Sequence, residues 1–154
     1  MFNGSSGAAY QDTLIENDGF WPDLNAGDFE KRRSIPTDMD SETVAYALAA
    51  AIAQINIALI NKKTAYEAEG ITSASDVLGQ PKIGDKNLLV IMYEKAVFSR
   101  AKADLIPEFA MVQTKDAGDR VAENETLITE RLLAESQQHV RAIFGKSRAG
   151  VELL

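Results

Sequence analysis

The sequence has no cysteine among its 154 residues and a single histidine, His139. The first absence excludes disulfides, thiolate catalysis and every zinc or iron–sulfur site held by cysteine. One histidine cannot form a helical metal-binding pair. The serines and carboxylates, without a base assigned to activate them, do not indicate nucleophilic catalysis. The glycines also fall outside the spacing of a phosphate-binding loop. We therefore expect no catalytic residues, no cofactor, no metal site and no enzyme activity.

Positive charge is scarce as well. The chain has 16 Lys and Arg against 23 Asp and Glu, a formal net charge of −7. Proteins that bind nucleic acid over a wide face are normally basic, because neutralising phosphates supplies most of the affinity. The longest apolar run, residues 44–53, is too short to span a bilayer, and the first residues lack the features of a signal peptide. These features predict a protein that is cytosolic when made and has no membrane role.

The overall composition is that of one soluble domain. The chain is 45% hydrophobic and 25% charged, and a chain of this length buries roughly 70% of its unfolded surface. We divide it into a flexible N-terminal arm over residues 1–19, a helical domain over 20–145 and an extended C-terminal tail over 146–154. The predicted fold is all-α, a small bundle of three long helices with short extra helices.

The longest segment without Gly or Pro runs from Asp40 to Glu69. It predicts one uninterrupted helix of roughly 45 Å, with apolar residues at steps of three and four that form a buried stripe. Asp40 is the expected N-cap and Gly70 the expected stop. Because residues 45–53 are rich in alanine, a second backbone can approach them closely, so we expect this half to face a neighbouring subunit as well as its own core.

Two further long helices follow. The first is predicted to start at Asp85, to be apolar on all sides over residues 88–93, and to be ended or kinked by Pro107. The second is predicted from about Asp119 to Phe144, with one apolar face.

Two short elements are also predicted. Asn25 or Asp28 is expected to cap a short helix through residues 29–33. A single turn is expected in the loop before the second long helix, with Val77 and Leu78 pointing inward.

Two local clusters suggest contacts. Phe20 and Trp21 are adjacent in a chain that is only 7% aromatic, and they are expected either to cover the core as an apolar lid or to anchor a partner. Lys31, Arg32 and Arg33 form the densest basic cluster. That cluster is either a solvated face or a contact with DNA phosphates or with an acidic neighbouring subunit.

Four short motifs stand out: Phe-Trp-Pro-Asp-Leu at 20–24, Asn56 with Leu59, Tyr-Glu-Lys-Ala-Val at 93–97, and Gly-Lys-Ser-Arg at 145–148 followed by Val-Glu-Leu-Leu at 151–154. In this order they resemble the head completion proteins of contractile-tailed temperate phages, also called head completion or stabilisation protein L. The resemblance covers roughly residues 19–154. Lys95 stands where this family usually has arginine.

The resemblance implies a structural virion protein. Such a protein is expected to bind the portal protein after DNA packaging, as a homo-oligomeric ring of about twelve copies that continues the DNA channel and receives a tail-side connector or tail terminator protein. It is expected in the neck of the virion, after assembly in the host cytoplasm. Its negative charge suits a channel through which double-stranded DNA passes without specific binding.

Within this interpretation, portal binding is assigned to the C-terminal tail, through Arg148, Val151, Glu152, Leu153 and Leu154. Contacts between subunits are assigned to Phe20, Trp21, Arg32, Arg33, Ala49 and Ala50. The apolar tail has a second interpretation, in which it folds back on its own bundle. Two other functions stay open: a small DNA-binding protein of the packaging machinery, such as a terminase small subunit, and a helical adaptor unrelated to phages.

Overall fold

The structure is a computed structural model that describes residues 9–113 and 118–146, with only the backbone described for 110–113 and 118–122. In chain order the elements are β1 (Leu14–Ile15), β2 (Leu24–Asn25), α1 (Ala26–Arg32), α2 (Ser41–Ala58), α3 (Ile60–Ala68), a short 3-10 helix (Ala74–Asp76), α4 (Leu88–Gln113) and α5 (Gly118–Ile143). The predicted dominance of helices is confirmed. The short antiparallel pair of β1 and β2, in which Leu14 lies opposite Asn25, was not predicted.

Helices α4 and α5 pack side by side as an antiparallel hairpin. Ser136 Oγ donates a hydrogen bond to the Ala96 carbonyl oxygen at 2.8 Å, and Ile106 packs against Leu132. Residues later in α4 therefore lie beside residues earlier in α5, so the two helices run antiparallel. Helix α4 continues through Pro107 to Gln113. Of the two outcomes predicted at Pro107, an end of the helix was therefore wrong, and a kink stays a prediction.

The predicted uninterrupted helix is broken in two. Helices α2 and α3 meet at Leu59 and are bent by 62°. Leu59 is fully buried, and α3 is held by the N-terminal segment: Lys63 Nζ lies 3.0 Å from the Asp18 carboxylate, and Tyr66 stacks on Phe20. These tertiary contacts outweigh the helix propensity of a segment without Gly or Pro. No single helix in the described ranges is long and apolar enough to cross a membrane, although the bent pair meets that test jointly.

Helix α4 begins later than predicted. Its N-cap is Asn87, which is 3% exposed and whose Oδ1 accepts from the Val90 backbone N–H at 2.8 Å. The Asn87 side chain also donates to the carbonyl oxygens of Ala74 and Val77 at 2.9 and 2.6 Å. Asn87 thus ties the preceding loop to the helix start, and Asp85 lies outside the helix.

The loop between α3 and α4 differs from its prediction at one residue. The expected turn is present as the 3-10 helix, and Val77 after it is half-buried. Leu78, however, is 97% exposed, so the prediction that it points inward was wrong.

The described part of the predicted N-terminal arm is extended and attached to the domain. The Gln11 backbone N–H and side-chain amide donate to the buried Glu30 carboxylate at 3.0 and 2.8 Å. The approach is so close that a Cβ on Gly27 would collide with the Gln11 carbonyl oxygen. The domain boundary at residue 19 stays a prediction, but residues before it are part of the packed structure.

Helices α1, α3 and α5 end in the same Schellman hydrogen bond, which joins the second residue beyond the cap to the third residue from the helix end. The bonds are Ile35 N–H to Glu30 O at 3.0 Å, Ile71 N–H to Tyr66 O at 3.0 Å, and Lys146 N–H to Arg141 O at 2.8 Å. The turn residue has a positive φ of 86° at Gly70 and 78° at Gly145. The first confirms the predicted stop at Gly70, and the second follows an end of α5 that lies within one residue of the predicted Phe144. In α1 this residue is Ser34, with φ 57°.

Ser34→Gly should therefore stabilise the protein. Glycine adopts positive φ without the steric cost that serine bears, and the gain in free energy of unfolding should be about 0.5–1 kcal/mol. Urea denaturation followed by circular dichroism measures it. The matched control is Gly145→Ser, which should lose a similar amount, and a loss of stability in Ser34→Gly would contradict the prediction.

Candidate functional site

Residues of the first three motifs meet around Tyr93. The Trp21 indole stacks on the Tyr93 ring with centroids 4.7 Å apart and planes 3° apart, and both residues are buried. Tyr93 OH donates to Asn56 Oδ1 at 2.6 Å, Asn56 Nδ2 donates to Asn17 Oδ1 at 2.8 Å, and Asn17 Nδ2 donates to Tyr93 OH at 2.9 Å. The three side chains form a closed ring of hydrogen bonds.

This polar ring has a structural role. It joins the N-terminal segment to α2 and α4 in a partly buried environment, where hydrogen bonds are stronger than in water. Burial also raises the pKa of Tyr93, so its hydroxyl keeps the proton that it donates. The motif residues Trp21, Asn56 and Tyr93 therefore stabilise the fold. Asn17 completes the hydrogen-bonded ring, although the sequence analysis did not single it out.

The burial of the aromatic pair bears on its predicted role. Phe20 and Trp21 are each 2% exposed and lie in the core of their own chain. This favours the apolar lid interpretation. Their assignment to a subunit interface stays a prediction, and it requires the two rings to leave the core.

The predicted basic cluster is largely paired within the chain. Glu94, which is 7% exposed, accepts from Arg32 and lies 3.0 Å from Lys86 Nζ. Both terminal nitrogens of Arg33 donate to the Glu135 carboxylate, at 3.1 and 3.0 Å. These ion pairs connect α1 to α4 and α5. Two of the three residues of the basic cluster are therefore already paired with carboxylates and are not free to bind DNA phosphates. The assignment of Arg32 and Arg33 to a subunit contact stays a prediction.

All of these side chains except Glu135 line a groove of about 510 Å³, which we call the α4 groove. Tyr93 faces α2 and Ala96 faces α5, whereas residues at spacing i, i+3, i+4 and i+7 form a third side of α4. The lining residues are Ile91, Glu94, Lys95 and Phe98 of α4, Arg32 and Arg33 at the end of α1, and Ile83 and Lys86 of the loop. The lining has four cations and one carboxylate, and Glu135 outside it binds Arg33, so the cations still outnumber the carboxylates and the groove is locally positive in an acidic chain.

His139 lies at the seam of α4 and α5. It is half-buried, and burial together with Lys95 lowers its pKa, while Glu135 opposes that shift. Within the described ranges, no three acidic or histidine side chains gather in a way that would hold a metal ion.

Helix α2 has a second apolar side that points away from the core. Tyr46 and Ile57 are 74% and 73% exposed, and the exposed residues Ala49, Ala50 and Ala53 lie between them at helical spacing. We call these five residues the α2 outer face. The predicted contact residues Ala49 and Ala50 are thus accessible and lie on one surface.

Tyr46 and Ile57 are the contact candidates that the sequence interpretation missed. The available signal was charge, because residues 43–61 include no Asp, Glu, Lys or Arg even though one side of the helix faces solvent. A helix with a single buried face normally has charges on the other side. The predicted portal-binding residues, Arg148, Val151, Glu152, Leu153 and Leu154, lie outside the described ranges, and their assignment stays a prediction.

Comparison with known proteins agrees with the motifs. The family described as Phage head completion protein (GPL) matches residues 15–154. The "Probable head completion/stabilization protein" of Haemophilus phage HP1 (strain HP1c1) is 38% identical over 156 residues, which covers 100% of both chains. The "Head completion/stabilization protein" of Escherichia phage P2 is 25% identical over 140 residues, covering 91% of this chain and 82% of that protein. No solved structure is significantly similar. The chain therefore belongs to the phage head completion protein family.

Proposed function

We propose that this head completion protein binds the portal after DNA packaging, as a ring of about twelve copies that extends the DNA channel and receives a tail-side connector. Its role is structural and its place is the neck of the virion. The observation that carries the proposal is the α2 outer face. A chain whose core is already closed by α2, α4 and α5 leaves an uncharged apolar helix side in solvent, which is typical of a protein interface.

The small residues of this face suit the contact that a ring requires. Ala49, Ala50 and Ala53 allow another backbone to approach, while Tyr46 and Ile57 at the two ends provide larger apolar contacts. A ring joins two different surfaces of each subunit, because the same contact repeats head to tail around the axis. We propose the α2 outer face as one of them and the region of Arg32 and Arg33 as the other.

The alternative of a DNA-binding packaging protein has less support. Arg32 and Arg33 bind carboxylates of their own chain, so a phosphate would have to replace existing ion pairs. The net charge of −7 opposes DNA binding in general and suits a channel that DNA must leave freely. A ring lumen that proved strongly positive would count against the channel role.

The test is electron microscopy of the protein mixed with its cognate portal, which should show an added ring at one end of the portal. Deleting residues 147–154 should abolish that ring and leave the circular dichroism spectrum unchanged, because the apolar tail is proposed to fill portal pockets. Removing residues 1–8 is the matched control, since it shortens the chain by the same length at the other end. Equal portal binding by the protein without its tail would overturn the tail assignment.

A further inference from the structure

The α4 groove has the chemistry of a peptide-binding site. Its apolar lining residues are Ile83, Ile91 and Phe98, of which Ile83 is 69% exposed, Ile91 is half-buried and Phe98 is only 3% exposed. The carboxylate of Glu94 already binds two cations. No acidic partner of the exposed Lys95 ammonium is found among the side chains that the structure describes. The groove therefore presents an apolar surface next to an unpaired positive charge.

Helix α5 ends beside the start of α4, the helix that forms one wall of this groove. The contact of Ser136 with Ala96 sets the register of the hairpin, and two turns later Ile143 lies in the same core cluster as Leu89 and Val90 at the start of α4. Gly145 then turns the chain out of the helix. The chain thus leaves α5 beside the first turns of α4, from which Ile91 faces the groove.

The segment that follows has the reach and the composition to fill the groove. Residues 147–154 span up to about 26–29 Å when extended, whereas a helix with its side chains is only about 10–12 Å wide. Their last four residues are Val-Glu-Leu-Leu, a carboxylate flanked by apolar side chains. This pattern complements an apolar groove with an unpaired lysine.

We propose that the C-terminal tail, residues 147–154, docks in the α4 groove of its own chain before assembly. The leucines of the tail contact Ile83 and Ile91, and the carboxylate of Glu152 faces Lys95. The consequence rests on the proposed function: a docked tail is withheld from the portal, and it covers the groove next to Arg32 and Arg33, so that ring contacts form only where a portal displaces it. The docking itself does not depend on that function.

The absence of native cysteine makes a direct test possible. Full-length protein with Ile83→Cys and Leu153→Cys has only one possible intramolecular disulfide, which mass spectrometry detects after mild oxidation in dilute solution. Docking should make this disulfide form about tenfold faster than in the control with Leu78→Cys and Leu153→Cys, because it raises the effective concentration of the second thiol. Leu78 belongs to the same loop but does not line the groove. Adding Lys95→Glu to the first pair should slow the reaction several-fold, since Glu152 would then be repelled.

Each other outcome overturns the inference. Equal rates in the two cysteine pairs would mean that the tail has no preferred site. Disulfides between chains that increase with protein concentration would assign the groove to the tail of a second copy. If short duplex DNA at low salt slowed the reaction as much as Lys95→Glu does, the groove would be a phosphate site.

The disulfide experiment contains no portal, so it is independent of the proposed function. Docking without portal binding by the reduced protein would refute the proposed function alone. Portal binding without docking would refute this inference alone.

Discussion

Trp21→Ala should lower the free energy of unfolding by about 3–5 kcal/mol, which is a large fraction of the stability of a typical domain. The indole is 2% exposed, stacks on Tyr93, and meets Phe20 edge-on with centroids 4.9 Å apart. Removing it leaves a cavity and takes away the partner that holds the N-terminal segment against α4. Chemical denaturation measures the loss, and the yield of soluble protein should fall with it.

The control for this prediction is Tyr46→Ala, which removes an aromatic ring that is 74% exposed. That change should alter the free energy of unfolding by no more than about 0.5 kcal/mol. The pair of variants also separates the two interpretations of the aromatic cluster. If Trp21→Ala were as stable as the wild type but failed to assemble, the indole would be an interface anchor and its place in the core would be wrong.

The N-caps of α1 and α2 were predictable because they depend on local chemistry. Asp40 accepts from the Thr43 backbone N–H at 2.9 Å, as expected of the N-cap of α2, and Asn25 caps α1. The buried stripe of α2 was also predicted, since the positions of Val44, Leu48 and Ile55 follow from helix geometry alone.

The break at Leu59 was not predictable in this way. It depends on Asp18 and Phe20, which lie about forty residues earlier in the chain, and nothing in the segment around Leu59 indicates them. The late start of α4 has the same kind of cause, because Asn87 is fixed by carbonyl groups of the preceding loop. Boundaries set by contacts between distant segments need the fold to be known first.

The candidate surfaces also differ in how far the sequence predicts them. Exposure of Ala49 and Ala50 is in keeping with their place in an alanine-rich helix, and the uncharged stretch around them was visible in the sequence. The ion pairs of Arg32 and Arg33 were not visible, since Glu94 and Glu135 come from two other helices. A basic cluster in a sequence therefore indicates where cations are and says little about whether they are free.

Ala50→Arg should abolish formation of the ring on the portal. The substitution places a long charged side chain in the middle of the α2 outer face, where a neighbouring subunit would have to bury it without a partner. An uncompensated buried charge costs several kcal/mol, and this cost is repeated at every contact around the ring. Electron microscopy and co-sedimentation with the portal measure the loss of the ring.

The isolated subunit should tolerate the same change. Ala50 is exposed and arginine favours helices, so the free energy of unfolding should change by less than about 0.5 kcal/mol. Ala68→Arg is the matched control: it makes the same substitution at an exposed alanine near the end of α3, beyond the bend at Leu59, and should leave assembly intact. A normal ring formed by Ala50→Arg would remove the α2 outer face from the subunit interface. Loss of the ring in both variants would mean that the effect of arginine is not specific to the α2 outer face.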